Sequence, residues 1–159
     1  METADATPTT GYLVWRLSMK WRARADRALA PLGLTHALYA VLASLYGLSR
    51  TGARPSQREL ADYTGLEPIY VSKLARALER AGFVQRTEHP ADPRAVQLTL
   101  TDHGLDVIKR AMAAIHDLQE ELTAPLGGTG GERTRELRDA LLRLLGPTAR
   151  HGAAKEMRE

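Results

Sequence analysis

Residues 56–86 read SQRELADYTGLEPIYVSKLARALERAGFVQR. Ser56 followed three positions later by Glu59 is the pattern of a helix-opening capping box. Thr64 and Gly65 then mark a tight turn, and Pro68 suits the first position of a second helix. On that second helix Val71, Leu74, Leu78 and Ala81 fall at spacings of three and four, which gathers them on one face. Ile69, Ser72, Lys73, Arg76 and Arg80 fall on the other, and Gly82 stops the helix. Two short helices meet through a turn, and the second carries one apolar face and one basic face.

Immediately downstream, FVQRTEH (83–89) and AVQLTL (95–100) have the alternation of short strands. Between them PADPR (90–94) reads as a Pro- and Asp-rich turn. Two helices and a hairpin within about forty residues make one supersecondary unit, a winged helix-turn-helix.

Upstream, residues 11–30 form a long helical stretch. Leu13, Leu17, Trp21 and Ala25 mark one stripe, and Val14, Trp15 and Ser18 a neighbouring one. Pro31 and Gly33 break it. Thr35 caps a helix, HALYAVLASLYGLS, that is apolar nearly all round, as in a core or an interface. After the hairpin, Thr101 opens a helix with Leu105, Ile108, Met112, Ile115, Leu118 and Leu122 at threes and fours. Pro125 and the run GGTGG separate it from a last helix bearing Leu137, Leu141, Leu144 and Leu145. The expected class is mainly α with a small β-hairpin wing. The expected organisation is a flexible tail at 1–10, a helical dimerisation region from 11–34 and 101–146, a DNA-binding region at 35–100, and a tail at 147–159.

A helix held by its apolar side and basic on the other fits a major groove. Lys73 and Arg76 supply donors for base edges, Ser72 serves as donor or acceptor, and Ile69 suits a thymine methyl group. Tyr70 sits at the edge of this face. Arg54, Gln57 and Arg58 are candidates for phosphate contact, with plain surface as an equal alternative. Arg94, at the tip of a thin hairpin, can reach the negative potential of a minor groove.

The stretch ELADYTGLEPIYVSKLARALERAGFVQR resembles the central helices of the MarR family of transcriptional regulators, and ADPRAVQLTLTDHG resembles that family's wing and the start of its next helix. The family's Asp-x-Arg falls on Asp92 and Arg94, and its Leu-Thr-x-x-Gly on Leu100, Thr101 and Gly104. The resemblance runs from about Tyr12 to Leu145. It implies a homodimeric regulator of double-stranded DNA, usually a repressor on a pseudo-palindromic operator with half-sites about 10 bp apart. It implies that Arg94 enters the minor groove, and that Asp92 holds the wing by pairing with an Arg, for which Arg86 is the candidate. It also implies a small-molecule effector, with Trp15, Met19, His36, Tyr39 and Met112 as candidate pocket residues; core and interface packing is the plainer reading of those five. Two positions depart from the family pattern: Pro93 within the wing tip, and Glu67 where Ser or Thr is usual before the recognition helix. The alternative function is a winged-helix module that binds protein instead of DNA.

Composition agrees. The chain has 159 residues, of which 43% are hydrophobic and 26% charged, as in a folded globular protein. Its 22 Lys and Arg against 19 Asp and Glu give a formal charge of +3. Residues 50–94 carry 8 basic and 6 acidic side chains, and residues 95–131 carry 2 and 5. One part therefore suits a polyanion and another does not. With no cysteine, disulfides and cysteine-ligated zinc are excluded. His36, His89, His103, His116 and His151 lack the spacing of a compact metal site, and GGTGG lacks the Lys-Ser/Thr of a phosphate loop, so it reads as a flexible connector. No cofactor and no catalytic constellation are expected. No apolar run reaches membrane-spanning length and no signal-peptide core opens the chain, which points to the cytoplasm.

Overall fold

A computed structural model describes residues 7–146. The proposed tail at 147–159, His151 and the first six residues lie outside the described residues. The elements in order are α1 (Thr10–Leu29), α2 (His36–Ser49), α3 (Gln57–Thr64), α4 (Pro68–Arg80), β1 (Val84–His89), β2 (Asp92–Leu100), α5 (Asp102–Thr123) and α6 (Glu132–Leu145). Single 3-10 turns at Ala30–Leu32 and Ala124–Leu126 follow α1 and α5. Among the described residues no single helix is long and apolar enough to cross a membrane.

Side-chain caps open α2, α3 and α5 where the sequence places them, and Thr9, within the stretch read as a tail, caps α1, which begins at Thr10. The hydroxyls of Thr9, Thr35 and Thr101 accept backbone N–H bonds from Tyr12, Leu38 and Gly104. At α3 the box is complete: Glu59 N–H donates to Ser56 Oγ (3.1 Å), and Ser56 N–H donates to Glu59 Oε2 (2.7 Å). These bonds, that from the Ser56 backbone first, hold the Glu59 carboxyl below its ordinary range. Glu67 precedes α4 without making a side-chain cap, the departure noted in the sequence.

One core joins the elements. Ala25 and Leu29 of α1, Val41, Leu42 and Leu45 of α2, Leu60 of α3, and Val107, Ile108 and Ala111 of α5 close around Val71, Leu78, Val84 and Leu98. On α4 the buried set is Val71, Leu74, Ala75 and Leu78. Ala81 is exposed instead of sharing that face, because the helix ends at Arg80 and Gly82 turns the chain with φ +75°.

α1 divides in two. Its C-terminal half enters the core, while residues 11–20 are all exposed, with Leu13, Trp15, Leu17 and Met19 among them. The helix is tied to α5 by Arg24, whose guanidinium meets Glu121 at 2.5 Å. α6 buries only Thr134 and exposes Leu137, Leu144 and Leu145. Apolar helix faces of this extent need a covering surface.

The glycine run is an ordered corner, not a flexible connector. Glu120 of α5 accepts both the backbone N–H and the hydroxyl of Thr129. Thr134 Oγ1 donates to the Gly128 carbonyl at 2.6 Å. A Cβ on Gly131 would lie 2.4 Å from the Leu126 carbonyl oxygen, so the close approach requires glycine there.

Candidate DNA-binding surface

The turn between α3 and α4 is made by Gly65, in the left-handed region with φ +69°. It presents α4 with its buried face on α2 and α3 and its other face outward. Ile69 is 78% exposed. Tyr70, Lys73 and Arg76 are exposed as well, and Ser72 is half-buried between them and the core. One aliphatic side chain in solvent is ordinary by itself, but Ile69 stands beside exposed Tyr70 and shares the outward side of α4 with Lys73 and Arg76. It suits an apolar contact made on binding.

The wing is an antiparallel hairpin in which Val84 pairs with Leu100 and Glu88 with Val96. The register then shifts, and His89 pairs with Asp92. Pro93, Arg94 and Ala95 consequently have no partner on β1. The turn is only Pro90 and Ala91, and Asp92–Arg94 belong to β2 rather than to a five-residue turn. Pro93 is accommodated because the ladder is interrupted there. The bulge leaves the Arg94 side chain exposed at the tip.

Asp92 does hold this geometry, but not through Arg86. Its Oδ1 accepts the backbone N–H of Arg94 at 2.9 Å, and His89 Nδ1 accepts that of Ala91 at 3.2 Å. Arg86 sits opposite Leu98, three residues down the strand from His89, a distance of about 10 Å. It pairs instead with Glu79 of α4 at 3.3 Å, with its Nε buried and unpartnered. Arg86 thus fastens α4 to the first wing strand.

The segment before α3 was not legible as part of the sheet. The Leu98 N–H donates to the Pro55 carbonyl (3.0 Å), Gln97 Nε2 donates to the Arg54 carbonyl (2.9 Å), and Ser56 bridges to Gln97. The extended conformation that Pro55 imposes on Arg54 was the available signal. The Arg54 backbone is fixed on the wing while its side chain is exposed, and Arg58 is exposed on α3. Gln57 is half-buried, with Oε1 sealed and unpartnered.

The five candidate pocket residues do not share one groove. Trp15 and Met19 line an open groove whose walls are all α1 side chains. His36, Tyr39 and Met112 are partly buried against the core. His36 is engaged at the α1–α2 junction: its Nε2 accepts from Trp21 Nε1 (3.3 Å), and its backbone N–H donates to Asp26 Oδ1 (2.6 Å). Burial lowers its pKa, Asp26 opposes that, and Arg22 adds to it. Sequence reasoning missed Trp21, whose place on the apolar stripe disguised its polar contact. Among the described residues no group of three or more His, Asp or Glu could hold a metal ion.

The MarR family model matches residues 34–96, the span from the start of α2 to the wing. An HTH-type transcriptional repressor of Mycobacterium tuberculosis is 32% identical over 126 residues, 79% of this chain and 87% of that protein. The chain belongs to the MarR family. It is a winged-helix, DNA-binding transcriptional regulator. Among solved structures of the family, a variant of Escherichia coli MarR in complex with operator DNA superposes with a TM-score of 0.72 at 25% identity, covering 86% of this chain and 93% of that one. PcaV of Streptomyces coelicolor, solved with its natural ligand, superposes with a TM-score of 0.74 at 25% identity, covering 91% and 96%.

Proposed function

We propose that this MarR-family protein is a cytoplasmic homodimeric repressor that reads a pseudo-palindromic operator through α4 and grips the flanking minor groove with Arg94. The observation that carries the reading is the outward face of α4: exposed Ile69, Lys73 and Arg76 stand opposite buried Val71, Leu74 and Leu78, on a helix fastened to a wing with an exposed Arg94. Lys73 and Arg76 serve base edges or adjacent phosphates, Ile69 and Tyr70 give apolar contact, and Ser72 adds a hydroxyl. Arg54 and Arg58 flank this face as phosphate ligands. Gln57 reaches DNA only if its half-buried amide turns outward. The exposed faces of α1 and α6 would pair with a second copy, so two lobes address half-sites about one helical turn apart.

Release by a small molecule follows the same geometry. An effector that favours another lobe spacing lowers affinity for the operator to the extent that it prefers that state. PcaV's ligand complex supports an effector for this chain. With Trp15 and Met19 on an open face of one protomer, a pocket using them needs the partner protomer as its second wall.

Fluorescence anisotropy against a labelled duplex from the region upstream of its own gene, beside a scrambled duplex and over a salt series, tests the reading. Tight, sequence-selective binding with a steep salt slope is the expected result. Absence of binding to either duplex at low salt would overturn it in favour of a protein-binding module.

A further inference from the structure

α6 faces a mechanical problem. Its own protomer buries only Thr134, in the first turn, while Leu137, Leu144 and Leu145 extend into solvent. The direction of such a helix is set by its base. That base is the corner 127–131, held by Glu120 from the preceding helix. The Glu120 carboxylate accepts from Thr129 N–H and Thr129 Oγ1. The Thr129 carbonyl in turn accepts from Arg138 of α6 at 3.4 Å, and the Gly128 carbonyl from Thr134. Two glycines shape the corner for different reasons: Gly128 adopts φ +79°, which strains any side chain, and a Cβ on Gly131 would press on the Leu126 carbonyl oxygen.

We infer that Glu120 is a positioning residue for dimerisation: by clamping Thr129 it presets the direction of α6, so that its leucines meet a second copy of the chain without first being ordered. The inference rests on the homodimer proposed above. A helix free to swing about an unclamped glycine corner would be competent to pair for only part of the time, and apparent affinity falls by that fraction. The clamp joins the end of α5 to the corner before α6 and lies on neither α4 nor the wing, so it acts through the orientation of α6.

The test is sedimentation equilibrium of the full-length chain and three variants. Glu120→Ala removes both acceptors, Thr129→Ala removes only the hydroxyl donor, and Glu120→Gln keeps an acceptor oxygen. The expected result for Glu120→Ala is a dimer Kd raised about tenfold for each protomer, so about a hundredfold in all. Thr129→Ala should fall in between, and Glu120→Gln should restore most of the affinity. Helix content by circular dichroism should stay within about one turn of the unsubstituted chain. If the unsubstituted chain dimerises and the two alanine variants match it, the clamp is overturned and the dimer stands. If the unsubstituted chain is monomeric at micromolar concentration, the dimer reading fails and takes this inference with it. If Glu120→Ala does not fold, Thr129→Ala and Glu120→Gln decide, since a clamp predicts graded weakening and an unrelated folding defect does not.

Discussion

Gly104 lies against the backbone of Phe83 so closely that a Cβ added to it would stand 1.9 Å from the Phe83 carbonyl oxygen. The same turn is bonded on both sides: Thr101 N–H donates to that carbonyl at 3.1 Å, and Thr101 Oγ1 donates to the Gly82 carbonyl at 2.6 Å while accepting from Gly104 N–H. The Leu-Thr-x-x-Gly pattern is therefore a docking joint between the wing and α5. Gly104→Ala should destabilise the fold by about 3 kcal/mol, because the clash is with backbone that cannot rotate away. Urea unfolding measures it, and a loss below about 0.5 kcal/mol would show that the joint gives easily.

Ser56→Ala should cost about 1 kcal/mol by leaving the first turn of α3 uncapped. The pH dependence has a defined sign. Because the folded state holds Glu59 below its ordinary range, its contribution is complete above that range and disappears as pH falls through the lowered value. Denaturant midpoints measured from neutral to acid pH should converge for the parent and Glu59→Gln proteins. Parallel curves would mean that the box is not formed in solution.

Arg94→Ala should weaken operator binding at least tenfold while leaving sedimentation unchanged, since Arg94 sits in the exposed bulge of the wing. Lys73→Ala should also weaken binding, and each substitution that removes a phosphate contact should flatten the salt slope by about one. A dimer that binds its operator normally without Arg94 would refute the role of the wing.

His36 joins α1 to α2 in its neutral form, because its Nε2 accepts from Trp21. Its lowered pKa, caused first by burial, means that acid favours the unfolded or opened state. The contribution is full above the ordinary histidine value and declines as pH drops from there through the lowered one. In a Trp15→Phe background, emission from Trp21 should change across that acid window, and His36→Gln should abolish the change. An unaltered titration in His36→Gln would assign the signal to another group.

The helices were legible because each carries its own signals: caps at Thr35, Ser56 and Thr101, and apolar spacing on α4 and α5. The outward residues of α4 followed from the same periodicity. What escaped depends on register and distance, which one sequence does not encode locally. PADPR looks like a turn by composition, yet a shifted register draws Asp92–Arg94 into β2. Asp92 has a backbone donor two residues away and needs no arginine, which leaves Arg86 for Glu79. GGTGG looks loose until Glu120, several residues back along the chain, closes it. Trp15 and Met19 stand exposed in a groove lined by α1 alone, a placement that helical spacing does not encode.

A two-stranded sheet has two edges, and the Arg54–Ser56 segment covers the base of the one on β2, at Gln97 and Leu98. Toward the tip the exposed residues include the charged Glu88 of β1 and Asp92 and Arg94 of β2. Unpaired edges are templates for strand-to-strand association, and charge is a common defence against it. In this wing a proline-led strap at the base and charges toward the tip both work against strand-to-strand pairing with another molecule.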